Sequence, residues 1–186
     1  MSSVSQGMSR WLVGCCCAVL VAGCANGSST TSSGGSATSQ PPRSKAPSPT
    51  APSERDRVLA AYRGMWNAYV EAAKTSNYQS PQLTRYSGGG ARSLLVRGLR
   101  DAREHGIVTL GVPTFKPKVV ALAPARQPTR ADVKDCADSS HWLTYDWSGR
   151  VVGDRSPGRR RVEARLRRSS GTWKVIDLVV EKEGTC

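Results

Sequence analysis

The chain has 186 residues, a net charge of +13 and 38% hydrophobic residues, of which only 6% of the chain is aromatic. That is enough for one domain with accessory segments and a core of modest size. So basic a chain favours acidic partners, and no phosphate-cradling loop, G-x-S-x-G elbow or H-E-x-x-H pair is present to mark a common catalytic class.

Residues 1–10 are polar and end in Arg10, and residues 11–23 form an uncharged, mostly apolar run that includes Cys15, Cys16 and Cys17. This is the layout of a secretion signal. As a helix the run would reach about 20 Å, short of the ~30 Å hydrocarbon core of a bilayer. No twin-arginine pair precedes it, so export of the unfolded chain is expected. The run closes on Val21-Ala22-Gly23-Cys24. An aliphatic residue, two small residues and a cysteine in that place resemble the lipobox of bacterial lipoproteins. The resemblance implies cleavage before Cys24 and a diacylglycerol thioether on its sulfur. A cysteine carrying two or more acyl chains anchors stably where one chain holds only marginally.

Residues 24–53 read as the lipidated cysteine and a tether. From 25 to 53 there is no Val, Ile, Leu, Met or aromatic residue, and Pro41, Pro42, Pro47, Pro49 and Pro52 stiffen the second half. Such a segment buries too little apolar area to offset its ordering entropy, and it would span about 30 Å root-mean-square. Its Ser, Thr and Pro would permit O-glycosylation.

Residues 54–186 have the composition of a globular domain. Ser53 and Asp56 begin a helix as an S-x-x-D cap. Val58, Tyr62, Met65, Trp66, Tyr69 and Ala73 then give it one apolar face, ending near Thr75-Ser76-Asn77. Leu83 and Tyr86 mark a short helical turn after Pro81. A linker, Gly88-Gly89-Gly90, precedes a further helix with Ala91, Leu94, Leu95, Leu99 and Ala102 inward. Gly106 is placed to stop that helix.

Beyond Gly106 the period approaches two. Strands are expected over 107–110, 119–122, 131–134, 141–147, 161–167 and 173–180, with turns at Ser148-Gly149 and Ser169-Ser170-Gly171. Leu143, Tyr145 and Trp147 should share one face, and the Trp and Tyr residues should supply core bulk. In Arg159-Arg160-Arg161…Arg165, Arg167-Arg168, the alternation with Val162, Ala164 and Leu166 predicts a solvated arginine face on a buried strand. The fold class is α+β: two or three helices packed on a curved antiparallel meander.

Helices first and a long antiparallel sheet after resemble the NTF2-like, or cystatin-like α+β cone, superfamily. Local patterns are also similar to a group of uncharacterised lipoproteins from high-GC bacteria. They include Gly106-Ile107-Val108-Thr109, Val133-Lys134-Asp135-Cys136-Ala137-Asp138, Trp173-Lys174-Val175 and Gly184-Thr185-Cys186. The resemblance covers most of 55–186 and implies a fold rather than an activity.

Cys136 and Cys186 remain after processing, and an even pair in an exported domain reads as a disulfide closing about fifty residues. Redox chemistry or metal ligation are the alternatives, but no C-x-x-C motif supports them. Asp135, Asp138, His141 and Tyr145 are the candidate pocket or acid–base residues, a His beside carboxylates being suited to proton transfer. No cofactor or metal is expected. Two readings follow. One is a membrane-anchored binding or accessory module whose partners would be the membrane, an anionic envelope polymer or lipid, or another envelope protein, nucleic acid not being expected. The other is a small dehydratase, isomerase or hydrolase using Asp135, Asp138 or His141.

Overall fold

The computed structural model describes residues 51–152 and 158–186. The signal, Cys24 and nearly all of the tether lie outside the described residues. Helix α1 spans Glu54–Ala73, and its start is the capping box that the sequence predicts. The Ser53 side chain accepts from the Asp56 N–H while the Asp56 carboxylate accepts from the Ser53 N–H. Its apolar stripe buries Val58, Tyr62, Met65 and Trp66. The turn after Pro81 is α2, Gln82–Tyr86, which buries Leu83. Helix α3, Gly89–Glu104, buries Ala91, Leu95 and Leu99 and stops at His105, with Gly106 at a φ of +68° beyond it.

The glycine triplet is not a linker. Gly88 caps α3, and Gly89 and Gly90 form its first turn. The Gly88 N–H donates to the Val175 carbonyl at 2.9 Å, and a Cβ on Gly89 would stand 2.9 Å from the Ile176 carbonyl oxygen. Gly89 lets the helix start directly against a strand, a closeness that a side chain at that position would prevent, whereas a Cβ on Gly88 would meet nothing within 4 Å.

All six expected strands form: β1 Ile107–Gly111, β2 Lys118–Ala123, β3 Arg130–Asp138, β4 Trp142–Asp146, β5 Arg159–Ser169 and β6 Thr172–Val180. They do not make one meander. β2-β3-β5-β6 form an antiparallel four-stranded sheet, and β1 pairs separately with β4. The cause sits at the end of β3. There the Asp138 carboxylate accepts from both the Ser140 N–H, at 3.0 Å, and the Ser140 hydroxyl, at 2.5 Å. That local turn takes the chain out of the sheet. β5 then fills the place beside β3, from Arg130↔Arg167 to Asp138↔Arg159. A bridge between Thr114 and Asp138 ties the small sheet to the large one.

β1 and β4 approach so closely at one point that only glycine fits. Gly111 has a φ of +92°, and a Cβ there would meet the His141 carbonyl oxygen at 1.9 Å. Bulges between Val119 and Ala121, and between Arg165 and Leu166, bend the large sheet.

Alternation along β3 puts Ala131, Val133, Asp135 and Ala137 on the inner face; on β5 it puts Val162, Ala164 and Leu166 there. These residues meet α1, Leu95 of α3, and Trp173, Val175 and Leu178 of β6 in the main core. Trp147 departs from its expected place. It is 67% exposed, beyond the end of β4, with its indole lying over Gly106. The turn at Asp146 carries it out of the strand before its face can reach the core.

Candidate functional site

A cleft of about 580 Å³ lies between α1 and α3 on one side and the inner strand faces on the other. One wall is aromatic. The Phe115 and Trp66 rings stack with centroids 5.0 Å apart, Tyr69 meets Trp66 edge-on at 6.0 Å, and Trp142 meets Tyr69 edge-on at 5.7 Å. The period of α1 places Trp66 and Tyr69 there, since residues three apart share a helix face. Leu94, Leu95 and Gly98 of α3 and Val162, Leu178 and Val180 of the sheet line the rest of the apolar surface.

One end of the cleft is polar. Arg160 extends the inner-face alternation of β5 outward from Val162, and its guanidinium donates to the Glu183 carboxylate at 2.9 Å. The sequence predicts a solvated arginine face, and for most of the run that holds. On the outer face Arg165 pairs with Asp132 at 3.8 Å and Asp177 at 3.2 Å, Arg161 with Glu181 at 3.9 Å, and Lys134 with Glu163 at 3.0 Å. Arg160 and Arg168 have the opposite parity. Arg168 reaches Glu54 at 3.4 Å, and Arg160 enters the cleft. Its even spacing from Val162 is the signal that marks it.

None of the four expected site residues lines the cleft. Asp135 is buried in the core, where one carboxylate oxygen accepts from the Tyr62 hydroxyl at 2.9 Å and the other from the Lys116 N–H at 2.7 Å. Burial, then the Asp135 carboxylate, push the Tyr62 phenol far up and keep it protonated. The Trp66 indole N–H acts in the opposite sense, yet makes no hydrogen bond of normal geometry. Asp138 holds the turn after β3. Its hydrogen bonds to Ser140 lower its pKa, with smaller contributions from Arg159 and His141. His141 is exposed in that turn. Tyr145 is half-buried on β4, opposite Val108. The cleft uses their neighbours Ala137, Ser139, Trp142 and Thr144 instead. Cys136 lies on the outer parity of β3, and its sulfur stands 2.14 Å from that of Cys186, with Cα atoms 5.9 Å apart. The expected pair is thus at disulfide distance, outside the cleft. Among the described residues no group of three or more His, Cys, Asp or Glu is placed to hold a metal ion.

The turn beyond β4 gives a pH dependence. The Asp146 carboxylate accepts from the Ser148 hydroxyl, the Arg150 N–H and the Arg150 guanidinium, which lower its pKa from 3.8 to about 2. A depressed carboxylate favours the folded turn at pH values above its ordinary pKa, and that contribution disappears as pH falls through the folded value. The Asp146–Arg150 turn is therefore expected to stay closed at pH 4 and to open as pH approaches 2. Amide shifts of Ser148 and Arg150 followed by NMR would report it; a midpoint near pH 4 would contradict the anchoring role.

No protein-family model matches the chain, and no curated protein matches it in sequence. Solved structures do resemble it. The intermembrane-space region of the chloroplast protein ARC6 aligns with a TM-score of 0.53 at 13% identity, covering 69% of this chain and 97% of that one. A Nostoc punctiforme protein of unknown function with a cystatin-like fold aligns at 0.42 and 10% identity, covering 69% and 92%. A Streptomyces avermitilis protein described as a candidate dehydratase of the NTF2-like family aligns at 0.39 and 14%, covering 67% and 91%. At such identities the likeness is one of fold alone. The chain is an α+β protein with helices packed on antiparallel sheets.

Proposed function

We propose that this chain is a membrane-anchored, extracytoplasmic lipoprotein whose domain is a binding module, with the aromatic-walled cleft as its ligand site. The observation that carries the binding reading is the composition of that cleft. Its walls are Trp66, Tyr69, Phe115 and Trp142 with aliphatic side chains, and its polar groups gather at Ser139, Arg160 and Glu183. A largely apolar concavity with a few converging polar groups suits recognition of an apolar body. Asp135, Asp138 and His141, the residues of the enzymatic alternative, do not line the cleft. The address rests on Val21-Ala22-Gly23-Cys24, with the tether lifting the domain off the bilayer toward an envelope polymer, lipid or protein.

Two measurements test the two parts. Cys24→Ser is expected to abolish fatty-acid labelling and to move the protein out of the membrane fraction; unchanged labelling would refute the anchor. Titration with naphthalene and its oxygen-bearing derivatives is expected to change the Trp fluorescence of the cleft saturably, and the absence of a saturable response to every one of them would refute the binding site.

A further inference from the structure

We infer that the cleft, read as a ligand site as above, is built for a neutral apolar molecule bearing hydrogen-bond-accepting oxygen, such as a ketone or ester, rather than for an anion. Three donors of its lining residues are buried and unused, one of them the Trp66 indole N–H on the aromatic wall. Trp142 Nε1 and Arg160 Nε are shielded from solvent and have no hydrogen-bond partner among the described residues. Both residues line the cleft. They belong to adjoining segments: the backbone N–H of Trp142 donates to the Ser139 carbonyl at 2.9 Å, and the backbone N–H of Ser139 donates to the Gly158 carbonyl at 3.3 Å, two residues before Arg160. A buried donor without a partner is costly, and a ligand oxygen supplied at that place removes the cost.

All three unused groups are N–H donors, so the ligand must bring acceptors. Charge then decides which kind. The guanidinium of Arg160 is already paired with Glu183, and Asp101 adds a second carboxylate to the lining. Among the described lining residues there are two carboxylates and one guanidinium, and the guanidinium is already paired, a balance that disfavours an anionic headgroup and leaves a neutral carbonyl favoured. The aromatic wall from Phe115 to Trp142 receives the apolar body of the same molecule.

The test uses three probes of one skeleton: naphthalene, 2-acetylnaphthalene and 2-naphthoate. Each is titrated into the whole chain bearing Cys24→Ser, so that no acyl chains compete, with Trp fluorescence as readout. The ketone is expected to bind about tenfold more tightly than the hydrocarbon, the worth of one or two hydrogen bonds, and more tightly than the carboxylate. In Trp142→Phe the ratio of ketone to hydrocarbon affinity should fall several-fold, a ratio that cancels any general loss of packing. Should that variant lose its cooperative melt, Arg160→Met takes its place in the same comparison. Equal binding of ketone and hydrocarbon, or tighter binding of the carboxylate, would overturn this inference and leave the binding module standing. Failure of all three probes to bind would remove the cleft reading itself.

Discussion

Breaking the Cys136–Cys186 bond is expected to lower the free energy of unfolding by about 4 kcal/mol, the chain-entropy value for a closed loop of this size. The two cysteines are 50 residues apart in sequence, and the loop between them contains β4, β5 and β6. The bond does more than shorten the unfolded chain. After β6 the tail crosses β5 to reach β3. The Gly184 N–H donates to the Arg159 carbonyl at 2.8 Å, and the Arg161 N–H to the Thr185 hydroxyl at 2.8 Å. Glu183, within this tail, is the residue that holds Arg160 at the cleft. A freed C-terminus would fray unless these bonds alone retained it. Urea unfolding of Cys136→Ala/Cys186→Ala against the unaltered chain gives the energy, and amide exchange at Arg161 and Gly184 shows whether the tail has lifted. A change below about 1 kcal/mol, with both amides still protected, would mean that the hydrogen bonds suffice and the bond contributes little.

The elements of this fold were legible because they depend on local pattern. The cap at Ser53, the stripe from Val58 to Tyr69 and the stop at Gly106 each follow from neighbours within a few residues in sequence. Pairing partners were not legible in the same way. β4 leaves the large sheet because Asp138 bonds to Ser140, and nothing in the period of the strands records that choice. The role of Gly89 is hidden from the sequence for a related reason. Its lack of a side chain serves contact with Ile176, which is distant in sequence, whereas a Gly triplet taken alone suggests a flexible joint.

The candidate site was partly legible through parity. On β3, residues 131, 133, 135 and 137 share a face, so Asp135 and Asp138 cannot both enter one pocket from a regular strand. On β5, Arg160 shares the face of Val162. Carrying the alternation outward from the apolar residues would have sent Asp135 into the core and Arg160 to the inner side. The period alone makes Trp142 core bulk, and its place in the cleft wall depends on the pairing of Gly111 with Trp142, a long-range register.

Asp135→Ala is expected to destabilise the fold by about 3 kcal/mol, because it strands two donors at once. The Tyr62 hydroxyl and the Lys116 N–H each lose an acceptor, at 2.9 Å and 2.7 Å respectively. The first of these bonds joins α1 to β3 across the main core, so its loss loosens the contact between helix and sheet. Tyr62→Phe removes one donor and leaves one oxygen of the buried Asp135 carboxylate without its partner, and should cost about 2 kcal/mol. Combining the two changes should therefore cost less than their sum, since the phenol that Asp135→Ala leaves unpaired is gone. Denaturant titration of the two single variants and the double variant measures that coupling. An acid–base role for Asp135 predicts the reverse pattern, with stability nearly unchanged and a reaction lost. Strict additivity would show that the carboxylate and the phenol act separately, and that Asp135 is buried for a reason other than joining α1 to β3.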